Sequence, residues 1–202
     1  GDTILSIHIT AKLSGTYASA ISAAEELKGE FNIIPIDSAV GSLAIGLMCR
    51  EARKMERAGK SVDEIVKYLE NVKYNIRVIL TLDTLEYAKM SGRVKTLQAA
   101  LASLLNVKPI AILRNGDLSM AERVRTRKAA LDRVIEIAKE EFGDKPVYLA
   151  VVHARDLKSG QGLLDQAKSQ FNHKETLISE LSISIAANLG PGTVGLILYP
   201  LA

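Results

Sequence analysis

Apolar and β-branched residues run from Ile4 to Ile9, and the chain then turns through Leu13-Ser14-Gly15-Thr16. Tyr17, Ala20, Ile21, Ala24 and Leu27 follow at helical spacing, so this stretch predicts a strand, a tight turn and a helix. The order then repeats, with Asn32 to Ile36 as strand, Asp37-Ser38 as turn, and a helix from about Ser42 through Met55 that ends at Gly59. Helix crossovers join parallel strands, so the two strands are expected to pair in parallel. Ser61 and Glu64 have the spacing of a capping box, ahead of a buried stripe at Ile65 and Leu69. Parallel sheets are normally larger than two strands and covered on both faces. With Gly1 opening almost directly into a strand, the first strands of this α/β domain are expected to be missing from the chain.

From Arg77 the pattern changes. A strand through Leu82 leads to a short helix around Leu85 to Met90, which Gly92 can terminate. Pro109 to Leu113 and Leu118 to Val124 flank Arg114-Asn115-Gly116-Asp117, a β-hairpin signal because Asn-Gly suits a turn with positive φ. A helix over Thr126 to Phe142, a strand Val147 to Val152, a helix near Gly160 to Phe171, and strands around Thr176 to Leu181 and Val194 to Tyr199 complete the reading. The expected fold class is α/β in two domains. Residues 1–75 form a partial parallel-sheet domain, and residues 76–202 form an α+β domain with a mainly antiparallel sheet.

Composition narrows the class. With 48% hydrophobic and 24% charged residues, and no uncharged apolar run of membrane-spanning length, the chain is expected to be soluble and not membrane-inserted. The single Cys49, among Leu47, Met48 and Ala52, reads as a buried thiol on a helix and excludes an internal disulfide. No signal-peptide pattern opens the sequence, which points to the cytoplasm. The net charge of +3 comes from 26 basic and 23 acidic residues, with basic residues gathered at Arg114, Arg123, Arg125, Arg127 and Lys128. Aromatic residues make up only 4% of the chain and no nucleic-acid motif is present, which argues against nucleic acid as a partner.

Two segments carry candidate chemistry. Ser14-Gly15-Thr16 lies where a strand gives way to a helix, whose first amides are free donors at the positive end of a dipole. A carboxylate or phosphate fits there with the two hydroxyls, although a serine ahead of a helix is more commonly only an N-cap. Asn188-Leu189-Gly190-Pro191-Gly192-Thr193 offers an amide donor and close backbone approach, or an ordinary Gly-Pro-Gly turn. Asp37-Ser38 reads better as an N-cap or Asx-turn than as a ligand site. His8, His153 and His173 read as structural or solvated. No nucleophile elbow, P-loop, dinucleotide fingerprint or closely spaced metal set is present, so no catalytic residue, cofactor or metal is expected. Alternating Arg123, Arg125 and Arg127 suggest either a solvated face or a phosphate or partner site.

Joined together, these segments resemble the DegV family. Ile4-Leu5-Ser6-Ile7-His8-Ile9, Leu13-Ser14-Gly15-Thr16-Tyr17 and Ile36-Asp37-Ser38 occur in family order, as do Thr81-Leu82-Asp83-Thr84-Leu85-Glu86-Tyr87 and Ser91-Gly92-Arg93-Val94. So do Lys108-Pro109-Ile110, Arg123-Val124-Arg125-Thr126 and Gly190-Pro191-Gly192-Thr193-Val194-Gly195. The resemblance implies a bacterial carrier that binds a long-chain fatty acid with its carboxylate at an interdomain cleft and its acyl chain in the second domain. It further implies presentation of that acid to a separate fatty acid kinase, with no chemistry in the carrier itself. By position, Ser14, Gly15 and Thr16 match the carboxylate-binding motif, while Arg93 and Arg123 match arginines of the kinase contact or phosphate transfer. Asn188 stands where the family has histidine, a neutral amide replacing an imidazole, and the family's upstream Thr-Ser-Gln-Pro-Ser motif is absent. An enzyme acting on a small phosphorylated or carboxylated metabolite, and a pure interaction scaffold, are the alternatives.

Overall fold

The computed structural model describes residues 2–92 and 107–201. Fifteen elements are described: β1 (Thr3–His8), α1 (Thr16–Glu26), β2 (Asn32–Asp37), α2 (Leu43–Arg57), α3 (Val62–Asn75), β3 (Arg77–Thr81), α4 (Glu86–Ser91), β4 (Lys108–Arg114), β5 (Asp117–Val124), α5 (Arg127–Phe142), β6 (Val147–His153), α6 (Leu157–Gln170), β7 (His173–Glu180), α7 (Ile183–Leu189) and β8 (Val194–Pro200). The chain divides into two compact units, Gly1–Asn75 with Asn115–Asp117, and Ile76–Arg114 with Leu118–Ala202.

In the first unit β1 and β2 form a two-stranded parallel sheet, in register from Thr3 opposite Asn32 to His8 opposite Asp37. Its core comes from α2 and α3, which bury Ala44, Leu47 and Met48 against Ile65, Leu69 and Val72. The capping box at the start of α3 is formed. The Ser61 amide donates to Glu64 Oε2 at 2.9 Å and the Glu64 amide donates to Ser61 Oγ at 3.3 Å. The Ser61 amide first, then Lys60 Nζ and the Ser61 hydroxyl, donate to the Glu64 carboxylate and hold it down at about 2. Helix α1 has no buried residue. Its apolar stripe faces a groove of about 990 Å³ walled by Ile4, Tyr17, Ile21, Phe31 and Ile33. Cys49, expected to be buried, is exposed on α2, because the helix turns Leu47, Met48 and Ala52 inward instead. Partial desolvation still raises the Cys49 thiol above its ordinary value.

The second unit is a six-stranded mixed sheet in the order β5-β4-β3-β8-β6-β7. β3 runs antiparallel to β4 and β8, β8 antiparallel to β6, and β7 parallel to β6. The β4–β5 turn uses Asn115 and Gly116 at φ 51° and 81°, the left-handed conformation that the Asn-Gly pair predicts. One face of the sheet carries Ile79, Ile110, Val147, Leu149, Val151, Val194, Leu196 and Leu198, packed against Val134, Ala138, Leu163 and Ala167 of α5 and α6. The alternate residues, Val78, Leu80, Ala150, Val152 and Ile197, are buried on the opposite face, which the stacked rings of Tyr148 and Tyr199 close at one end. Both faces are therefore apolar, unlike the alternating pattern of a half-solvated antiparallel sheet.

Candidate functional site

The Ser14 turn is built by backbone bonds that fold the end of β1 back on itself. The Leu13 and Ser14 amides both donate to the Thr10 carbonyl, and the Thr10 amide donates to the Val40 carbonyl. The N-cap position of α1 is Gly15, without a side-chain cap bond, and Ser14 stands one residue before it. Its Oγ lies 3.1 Å from Thr16 Oγ1 and accepts from the Thr16 amide at 3.3 Å. Two hydroxyls sharing one hydrogen bond keep one proton to donate outward. Gly15 has φ −76°, which any residue can adopt, and no atom lies within 4 Å of a Cβ built there. What the glycine supplies is open space above the backbone at the start of a helix.

The neighbouring Asp37-Ser38 segment is spent on the fold. Asp37 Oδ1 accepts from the Ala39 amide at 2.9 Å and the Ala11 amide at 3.3 Å, an Asx-turn that ties two loops together. The buried Ser38 Oγ accepts from the Val40 amide. His8 is also engaged, its Nε2 2.7 Å from Ser6 Oγ.

In the second unit, α7 ends at Gly190, and the following loop is fastened on three sides. The Gly192 amide donates to the Ala154 carbonyl at 2.8 Å, and Thr193 Oγ1 donates to the Leu189 and Gly190 carbonyls at 3.1 and 2.9 Å. Gly190 and Gly192 take φ of 87° and 78°. A Cβ on Gly190 would strike the Tyr87 ring, and one on Gly192 would come 2.9 Å from Asp83 Cβ. The glycines are thus required by the turn itself. Asn188 Nδ2 donates to the Ser184 carbonyl at 2.6 Å, which leaves one amide hydrogen for another partner. Beside this loop the sequence reading missed an ion pair: Lys108 at the start of β4 binds the Asp83 carboxylate, and its Nζ also donates to the Asp83 carbonyl at 3.1 Å. Both residues fall in motifs shared with the family, yet their 25-residue separation gives no local signal.

Arg123 is exposed on β5, whereas Arg127 lies at the start of α5 with Nη2 2.9 Å from Asp156 Oδ2. The alternating arginines therefore do not form one strand stripe, because β5 ends at Val124. Arg93 lies outside the described residues. His153 ends β6 in a buried position, and His173, expected in a loop, opens β7 with Nδ1 3.0 Å from the Phe171 carbonyl. Among the described residues no group of three or more His, Cys, Asp or Glu could hold a metal, and no helix is long and apolar enough to cross a membrane.

A two-stranded parallel unit joined to a six-stranded mixed-sheet unit, with a Ser-Gly-Thr turn in the first and a Gly-Pro-Gly loop in the second, defines the class. The chain belongs to the DegV family, whose model, described as "Uncharacterised protein, DegV family", matches residues 1–201. A DegV domain-containing protein of Halalkalibacterium halodurans is 33% identical over 98% of this chain and 70% of its own length. Protein DegV of Bacillus subtilis is 32% identical over 96% of this chain and 70% of its own length. Among solved structures, a fatty-acid-binding DegV family protein from Thermus thermophilus superposes with a TM-score of 0.92 at 33% identity, covering 100% of this chain and 72% of that one. The fatty-acid-binding DegV of Bacillus subtilis gives 0.87 at 30% identity, covering 99% and 71%.

Proposed function

We propose that this protein binds a long-chain fatty acid and presents it to a separate kinase protein that converts the carboxylate to an acyl phosphate. The observation that carries the reading is membership of the DegV family together with similarity, at 30% identity or more, to two members that bind fatty acids. The acyl chain is proposed to lie in the second unit, whose sheet is apolar on both faces. Burying a methylene yields ~0.8 kcal/mol, so a chain of about fourteen methylenes gains roughly 11 kcal/mol before the costs of association. A charge-assisted hydrogen bond adds about 1.5–3 kcal/mol. The chain therefore supplies most of the affinity, and the head-group contacts fix where the carboxylate sits. For that task the proposed donors are Ser14 and Thr16, with Gly15 giving backbone access and Asn188 its remaining amide hydrogen. Arg93 and Arg123 are proposed for the contact with the kinase or its phosphate, and the cytoplasm as the place of work.

The test is to delipidate the protein, reload it with palmitate, and add a bacterial fatty acid kinase with ATP. Trapping with hydroxylamine should yield palmitoyl hydroxamate only when carrier, kinase and ATP are all present. Binding of palmitate without any hydroxamate would remove the kinase step and leave the binding reading. Failure to bind palmitate would remove both.

A further inference from the structure

Away from the Ser14 turn and the Gly190 loop, the α5/α6 face of the second sheet ends in a row that departs from its otherwise aliphatic packing. Register places Ile110, Thr81, Val194, His153 and Glu180 side by side across β4, β3, β8, β6 and β7. Thr81 and His153 are 0% and 5% exposed, and neither Thr81 Oγ1 nor His153 Nδ1 has a hydrogen-bond partner. Buried polar atoms left unpaired cost about 1–3 kcal/mol each, so two in one row call for an explanation.

The ring of His153 is oriented by its neighbours. A Cβ built on Gly160 would lie 3.2 Å from His153 Cδ2 and 3.3 Å from Ile178 Cδ1. The Cδ2 edge is therefore turned toward Gly160 of α6, which leaves Nδ1 on the ring edge away from that glycine. Above this row two helices begin. Thr126 caps α5 and Asp156 caps α6, and Arg127 joins the two starts through Asp156. Arg127 Nη1 is buried and, like the two groups below it, has no partner. Asp156 is already committed to the Ser159 amide and to Arg127, and Glu180 lies beyond His153 on the side away from Thr81. Around the two helix starts, Arg125, Arg155 and Lys158 form no ion pair among the described residues, and Arg155 is held at φ 54°.

We infer that the seam between the N-termini of α5 and α6 binds a small oxyanion of the phosphate class, with Arg127 Nη1, His153 Nδ1 and Thr81 Oγ1 as inner donors and Arg125, Arg155 and Lys158 at its mouth. Three unpaired buried polar atoms, two positive helix ends and a surplus of cations all favour a multiply charged acceptor over a neutral ligand. The site is separate from the fatty-acid reading and does not rest on it. A phosphate group reaches such a seam as a free ion or as a lipid head group, and two assay arms distinguish them.

The experiment is calorimetric titration of the purified chain with inorganic phosphate at neutral pH and low salt, beside co-sedimentation with phosphatidylglycerol vesicles. Saturable one-to-one phosphate binding is expected, weakened at least tenfold in Arg127→Gln and several-fold in Thr81→Val, with the Thr81→Val melting temperature unchanged or raised. Thr81→Val keeps the shape of the side chain, so it carries the test should Arg127→Gln fail to fold. Vesicle binding lost in Arg127→Gln, on top of saturable phosphate binding, supports the lipid-borne source. No saturable phosphate binding, phosphate binding that is equal in both variants, or vesicle binding without phosphate binding would each overturn the inference.

Discussion

Gly190→Ala tests how much of the Gly-Pro-Gly loop is demanded by the backbone. Gly190 has φ 87° and ψ 163°, a region that side chains other than hydrogen reach only at a cost of about 1–3 kcal/mol. The new methyl also meets the Tyr87 ring near its root, at Cγ and Cδ2, where the ring cannot simply bend away. Forcing a methyl into packed space costs roughly 1–3 kcal/mol more. Tyr87 is 37% exposed, so the ring has an exit toward solvent and the combined loss should fall near the lower half of the sum, about 2–4 kcal/mol. Urea unfolding followed by circular dichroism measures it, with Tyr87→Ala and the double variant completing a cycle. In the Tyr87→Ala background Gly190→Ala should cost about 1–3 kcal/mol, the backbone part alone. A loss below about 0.5 kcal/mol, or strictly additive single variants, would refute the reasoning and leave ligand approach as the reason for the glycine.

Leu163→Ala, at a fully buried position in the α5/α6 core, should lower stability by about 2–5 kcal/mol in the same assay. Arg133 is held to Glu122, Glu136 and Glu140 at 2.7 to 3.0 Å, so Arg133→Met should cost about 1 kcal/mol at low ionic strength, with the difference shrinking in high salt. Glu64 has its carboxyl lowered to about 2, so its contribution is complete above its ordinary value of 4.5 and is lost as pH falls toward 2. Accordingly Glu64→Gln should melt below the parent at pH 7 and converge with it near pH 2, while Ser61→Ala removes the other half of the box at a cost of about 1 kcal/mol.

What the sequence disclosed was local and conformational. The Asn115-Gly116 hairpin, the Ser61–Glu64 box and the αL terminator Gly92 each lie within a few residues and follow from backbone sterics, and all three are formed. Helix α7 was not foreseen, because Ser182-Ile183-Ser184-Ile185 alternates like a strand and the helix is only 7 residues long. Strand β7 begins at His173, earlier than its apolar run, since an edge strand tolerates the charged Lys174 and Glu175. The Lys108–Asp83 pair, the Thr81–Val194–His153 row and the Arg127–Asp156 link depend on strand order and helix packing, which no local window encodes. At Ser14 the residues were legible but their roles were not, because an N-cap and a ligand donor share one composition, and Ser14 Oγ accepts the first amide of the helix from just outside the Gly15 cap position.

The central claim is tested most directly by denaturing the purified protein, extracting it with organic solvent and analysing the extract by mass spectrometry beside an identically prepared Ser14→Ala variant. The account predicts a near-stoichiometric long-chain fatty acid in the parent and a reduced but measurable amount in the variant, because the acyl chain carries most of the binding energy. An extract without fatty acid, from a protein that also fails to take up palmitate, would contradict it.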